Sequence, residues 1–89
     1  MENFIKKKDI NIVFFTNDRF SELNKKIRDQ SNILGADHFL FIDTDKECDL
    51  ITNLNIKSVP LFYIYKDGKL IEEVFGTYSN ICDIIRLHF

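Results

Sequence analysis

Val59-Pro60-Leu61-Phe62-Tyr63-Ile64-Tyr65-Lys66-Asp67-Gly68-Lys69-Leu70 reads as a loop, a strand and a tight turn. Leu61 to Tyr65 is an unbroken run of aromatic and aliphatic side chains, the composition of a buried strand. Asp67-Gly68, at the centre of Lys66 to Lys69, predicts a type I′ turn, in which both central residues take positive φ. Leu70 to Phe75 is the returning strand, so the segment is an antiparallel hairpin. Pro60, the chain's one proline, stands at its entrance.

Upstream, Asp9 to Phe15 holds Ile10, Ile12, Val13, Phe14 and Phe15 and ends as a nearly continuous apolar block, the mark of a central strand. Thr16, Asn17 and Asp18 follow, and their short side-chain oxygens can accept from the free N–H groups of a first helical turn. Phe20, Leu23, Ile27 and Leu34 recur at helical spacing among charged residues. That predicts an amphipathic helix from about Arg19 to Leu34, stopped by Gly35. Phe39 to Ile42 reads as a second buried strand, and two such strands joined by a helix imply a right-handed βαβ unit with parallel pairing. Thr44 to Asn55, with Asp45 as a cap and Leu50, Ile51 and Leu54 on one side, predicts a short helix. After Gly76, Ser79 is placed to cap a closing helix with Ile81, Ile84, Ile85 and His88 facing inward. The expected class is α/β: a four-stranded mixed sheet, order βαβ-α-ββα, with helices on both faces.

Eighty-nine residues supply one small domain, 1–89, and not two. Nine Phe and three Tyr must provide much of its apolar area, since there is a single Ala. A net charge of −2 argues against a nucleic-acid or anionic-membrane partner, because little would drive phosphate pairing or counterion release. Lys6-Lys7-Lys8, followed by Asp9, is expected to be a solvated patch. The longest apolar run, Val59 to Tyr65, falls far short of the roughly 20 residues that span a bilayer. No apolar segment follows the basic start as a secretory signal would, so a cytoplasmic location is expected. Cys48 and Cys82 lie too far apart for a CxxC, zinc spacing or a disulfide framework.

The second half carries a resemblance. Ile56 to Leu70, then Val74-Phe75-Gly76-Thr77-Tyr78-Ser79, is similar to the thioredoxin-like superfamily: a Val/Ile-Pro loop, an apolar strand, a Lys-Asp-Gly hairpin and a Ser-capped last helix. Ile12 to Phe15 and Phe41-Ile42-Asp43 sit where that family has its first core strand and the strand ending in Asp. The spacing from Asp43 to Pro60 most resembles the N-terminal thioredoxin domain of multidomain monothiol glutaredoxins (the PICOT type). The likeness implies a thioredoxin-like fold, a cis Val59–Pro60 bond, and a docking or accessory role beside a glutaredoxin concerned with iron–sulfur and redox homeostasis.

The departure falls on the family's functional motif. A thioredoxin carries Trp-Cys-x-x-Cys between its first core strand and helix, where a helix N-terminus favours the attacking thiolate. Here the segment is Thr16-Asn17-Asp18-Arg19-Phe20-Ser21-Glu22-Leu23, and no cysteine precedes Cys48. Asp18 and Glu22 would repel a thiolate there. The expected protein is therefore a redox-inactive module and not an enzyme, binding a protein partner through Thr16, Asn17, Asp18, Phe20, Val59 and Pro60. The alternative is a thiol oxidoreductase using Cys82 or Cys48 alone. Cys48 sits among Lys46, Glu47 and Asp49, while Cys82 beside Ile81 reads as a small core residue. Phe20 is either core or a partner-facing anchor, and Tyr78 is a rim residue.

No cofactor and no metal are expected. His38 and His88 have no ligand at coordinating spacing. Asp43-Thr44-Asp45-Lys46-Glu47 begins like a calcium loop, but its sixth position would be Cys48 instead of Gly and its twelfth Leu54 instead of Glu.

Overall fold

The protein is described by a computed structural model covering residues 1–75 and 80–89. In chain order the elements are α1 (Glu2–Ile5), β1 (Ile10–Thr16), α2 (Ser21–Leu34), β2 (Phe39–Asp43), α3 (Cys48–Asn53), β3 (Leu61–Lys66), β4 (Lys69–Phe75) and α4 (Ile81–Arg86). The strands form one sheet in the order β2-β1-β3-β4, with β1 parallel to β2 and antiparallel to β3. Every residue of β1 is buried, as its apolar block requires.

The sheet separates two cores. On one face Ile12, Phe14, Phe62 and Ile64 meet Ile27 of α2 and Ile81, Cys82 and Ile85 of α4. On the other, Val13, Phe15, Leu61 and Tyr65 are covered by Leu50 and Ile51 of α3 and by Met1, Phe4 and Ile5 at the N-terminus. Alternate residues of a strand point to opposite faces, so a fully buried β1 needs helices on both sides.

The β3–β4 turn places Asp67 at φ 53° and Gly68 at φ 82°, the two positive values expected of the Asp-Gly pair. Gly35 ends α2 at φ 114°, its N–H donating to the Ser31 carbonyl at 2.9 Å. An added Cβ there would lie 3.0 Å from the His38 ring.

Three expectations need correction. The helix after β1 starts at Ser21 and not Arg19, because Asn17 Oδ1 accepts from the Arg19 N–H at 2.9 Å and caps a separate 3₁₀ turn, Asp18–Phe20. The third helix begins at Cys48. Asp43, and not Asp45, shapes its approach: Asp43 Oδ1 accepts from the Asp45 N–H, and its carbonyl accepts from Lys46 and Glu47. β2 is an edge strand, so Leu40 and Phe41 are only half-buried. Lys6, Lys7 and Lys8 are exposed, as expected of a solvated patch, while Phe4 and Ile5 before them pack on the sheet. The readings of Gly76, Tyr78 and Ser79 lie outside the described residues.

Candidate functional site

The expected partner-binding residues come from two segments that meet at one end of the sheet. Leu61 pairs with Phe15, so the chain entering β3 through Val59-Pro60 passes the end of β1 where Thr16 and Asn17 leave. The Val59–Pro60 peptide bond is cis; Pro60 is buried and Val59 half-buried.

On the β1 side a small polar network fixes the backbone before α2. The Thr16 hydroxyl donates to Asn24 Oδ1 at 2.6 Å, and Asn24 Nδ2 donates to the Asn17 carbonyl at 3.0 Å. Asn17 is 2% exposed, and its Nδ2 has no hydrogen-bond partner among the described residues. Thr16, Asn17, Asp18, Asn24, Arg28 and Asp43 line a hollow of about 380 Å³ beyond the ends of β1 and β2. Crevices at strand carboxyl ends are the usual binding places of open α/β sheets. Asp18 is exposed and Phe20 half-buried.

Asn24, Arg28 and Asp43 were not anticipated as part of this surface. One signal was available: Asn24 and Arg28, four residues apart on α2, share a face with each other and interrupt the apolar pattern near Leu23 and Ile27. In the sequence Asp43 reads as a strand end and as the first residue of the calcium-loop-like run.

On the proline side a second hollow of about 400 Å³ opens between the chain after α3 and the hairpin. Ile56, Leu61, Tyr63 and Phe75 supply apolar wall, and Asn55, Ser58 and Glu73 supply polar groups. Phe75 is 48% exposed.

Tyr63 and Tyr65 pack on this face of β3, ring centroids 6.3 Å apart. Burial, and then the charge of Glu73, raises Tyr63 above the ordinary phenol pKa. Burial, then Tyr63 and Glu73, raises Tyr65. A phenol with a raised folded-state pKa holds its proton more tightly when folded. Stability is therefore intact below the unfolded value of about 10 and falls as pH rises through and above it. Denaturant midpoints measured across alkaline pH should show this fall, and the Tyr63→Phe/Tyr65→Phe double variant should flatten it. An identical slope in that variant would contradict the assignment.

The two sulfurs lie in different settings. Cys82 is 7% exposed within the α2–α4 core. Cys48 is exposed at the start of α3, its Sγ 3.7 Å from the Asp45 carbonyl. His38 Nδ1 lies 2.6 Å from the Ile10 carbonyl and His88 Nε2 2.9 Å from Glu72 Oε2. Among the described residues no three His, Cys, Asp or Glu side chains gather in a way that could hold a metal ion. No described helix is long and apolar enough to cross a membrane.

Solved structures carry the same arrangement. Thioredoxin f2 of Chlamydomonas reinhardtii superposes with a TM-score of 0.80 at 18% identity, over 99% of this chain and 88% of that one. Fasciola hepatica thioredoxin does so with a TM-score of 0.79 at 19% identity, over 98% of this chain and 86% of the other. The fold is thioredoxin-like. A Thioredoxin-2 of Pyricularia oryzae is 31% identical over 51 residues, which is 57% of this chain and 30% of that protein's length. No protein-family model matches the sequence. Within the thioredoxin-like fold, the turn from β1 into α2 carries Asn17, Asp18, Arg19 and Phe20 in place of thiols.

Proposed function

We propose that this thioredoxin-like domain is redox-inactive and works by binding a protein partner at the end of the sheet where Thr16-Asn17-Asp18-Phe20 and Val59-Pro60 converge. The observation that carries this reading is the β1–α2 turn. It is built from Asn17 and Asp18, with the Asn17 side chain spent on capping, and it holds no nucleophile. The proline-side hollow offers apolar wall and the β1-side hollow one unpartnered donor, Asn17 Nδ2, a combination that suits an extended peptide more than a small electrophile. Burial of Cys82 weighs against its use as a lone attacking thiol. Cys48 is accessible, but it stands at the start of α3 and outside the β1–α2 turn.

The finer reading is an accessory domain of a cytoplasmic monothiol glutaredoxin that serves iron–sulfur and redox homeostasis. It rests on the likeness stated for the Asp43 to Pro60 spacing. A Cys-Gly-Phe-Ser segment in the native reading frame beyond Phe89 would support it, and a frame without one would remove it.

The test of inactivity is dithiothreitol-driven insulin reduction. The expected rate equals the uncatalysed background and is unchanged in Cys48→Ser and Cys82→Ala variants. Turnover well above background that disappears with either substitution would refute the proposal and favour a single-cysteine oxidoreductase.

A further inference from the structure

We propose that the free edge of β2 is a homodimer interface, formed by antiparallel pairing with β2 of a second copy. Among the described residues β2 pairs only with β1. The Thr44 N–H donates to the Thr16 carbonyl, which fixes the side to which alternate backbone groups point. Stepping back by two, Ile42 and Leu40 also face β1. Phe39, Phe41 and Asp43 therefore face the open edge; the Phe39 N–H donates to the Ala36 carbonyl and the Asp43 carbonyl accepts from Lys46 and Glu47, which leaves the Phe39 C=O, both Phe41 groups and the Asp43 N–H for a second strand.

The two edges of the sheet are built differently. β4 carries a bulge, where Ile71 is passed over between the Ile64–Glu72 and Tyr65–Leu70 pairs, and charged residues at Lys69, Glu72 and Glu73. Bulges and edge charges discourage strand addition. Phe39-Leu40-Phe41-Ile42 has neither, nor a proline.

Charge and shape name a second copy as the occupant. A two-fold axis through Phe41 sets Phe41 opposite Phe41 and Phe39 opposite Asp43, so every outward residue meets an outward residue. Leu40 and Ile42 of the copy then fall on the face where Met1, Leu40 and Leu50 line a hollow of about 320 Å³. Asp43 of the copy falls on the other face, diagonal to Phe41. The Arg28 guanidinium lies 4.3 Å from the Phe41 ring centroid and makes no ion pair among the described residues. Diagonal cross-strand neighbours are within reach of long side chains, so Arg28 of each copy meets Asp43 of the other, joining the Asp45 N–H at its Oδ1 and the Lys46 ammonium 4.0 Å from its Oδ2.

Sedimentation equilibrium on the full chain, from micromolar to millimolar concentration, tests the proposal. A monomer–dimer equilibrium is expected, with the amides of Phe41 and Asp43 gaining protection from hydrogen exchange as concentration rises. Arg28 is exposed, so Arg28→Glu should keep the circular-dichroism spectrum while weakening association about tenfold or more. The Arg28→Glu/Asp43→Lys double variant should restore it. A monomer at millimolar concentration with unchanged exchange in β2 overturns the proposal. So does a dimer whose protected amides lie in β4, or one indifferent to Arg28→Glu.

Discussion

Phe62→Ala lowers the stability of the domain by about 3–5 kcal/mol, the range found when a fully buried aromatic is truncated. Phe62 is wholly buried, and its ring stacks on Phe14 at 4.2 Å with an interplanar angle of 5°. The two residues are also direct partners in the β1–β3 ladder, so the stack ties the central strands by side chain as well as by backbone. Phe14 in turn meets Phe41 edge-on at 5.7 Å, which extends the contact to β2. Removing Phe62 leaves a cavity facing Phe14 that the paired backbone cannot close. Small domains hold roughly 5 kcal/mol in total, so urea denaturation should find the variant largely unfolded without denaturant. Ile33→Ala, at a residue 75% exposed, should stay within about 0.5 kcal/mol. A loss below about 1 kcal/mol for Phe62→Ala would mean that the aromatic stack is not the centre of this core.

The second large effect is expected at Asn11, a fully buried amide between the apolar Ile10 and Ile12. Its Nδ2 donates to the Ile5 carbonyl at 2.9 Å and the Lys8 carbonyl at 2.7 Å. Those bonds hold the turn between α1 and β1, and through it keep Met1, Phe4 and Ile5 on the sheet. Asn11→Leu removes the only donor to either carbonyl among the described residues, and leaving such part-buried acceptors unmatched costs about 1–3 kcal/mol at most. Asn11→Asp should be worse, because a buried carboxylate would face two carbonyl oxygens. Hydrogen exchange should show α1 losing protection before the strands do. Equal loss across β1 and α1 would mean that the N-terminal turn is not a separately held unit.

How far the sequence could be read depends on the kind of signal each element carries. The hairpin was legible because Asp67-Gly68 specifies its own φ angles, and β1 because its apolar block admits only a doubly covered strand. The lone Pro60 and the order of elements pointed to the fold that the solved structures share. The edge position of β2 was not legible: Phe39 to Ile42 is as apolar as β1, and only the strand order tells a central strand from an outer one. α1 was hidden because Phe4 and Ile5 are too few to set a period, and the lysines after them dominate the local charge. At the candidate site, Thr16, Asn17 and Asp18 stood out as capping residues. Asn24, Arg28 and Asp43 join them only through the meeting of α2 with the strand ends, a tertiary event with no local spacing to announce it.

The central place of β1 also bears on how the chain is made. Ile12 finds its partner Ile64 only after more than half the sequence has followed it, whereas β3 and β4 are joined by a two-residue turn. The hairpin can close quickly on its own, but the pairing that creates both cores is the most distant in the chain and the slowest to be reached by diffusion. During synthesis the Ile12-Val13-Phe14-Phe15 block is exposed until β3 arrives, a window in which it is open to aggregation or to a chaperone.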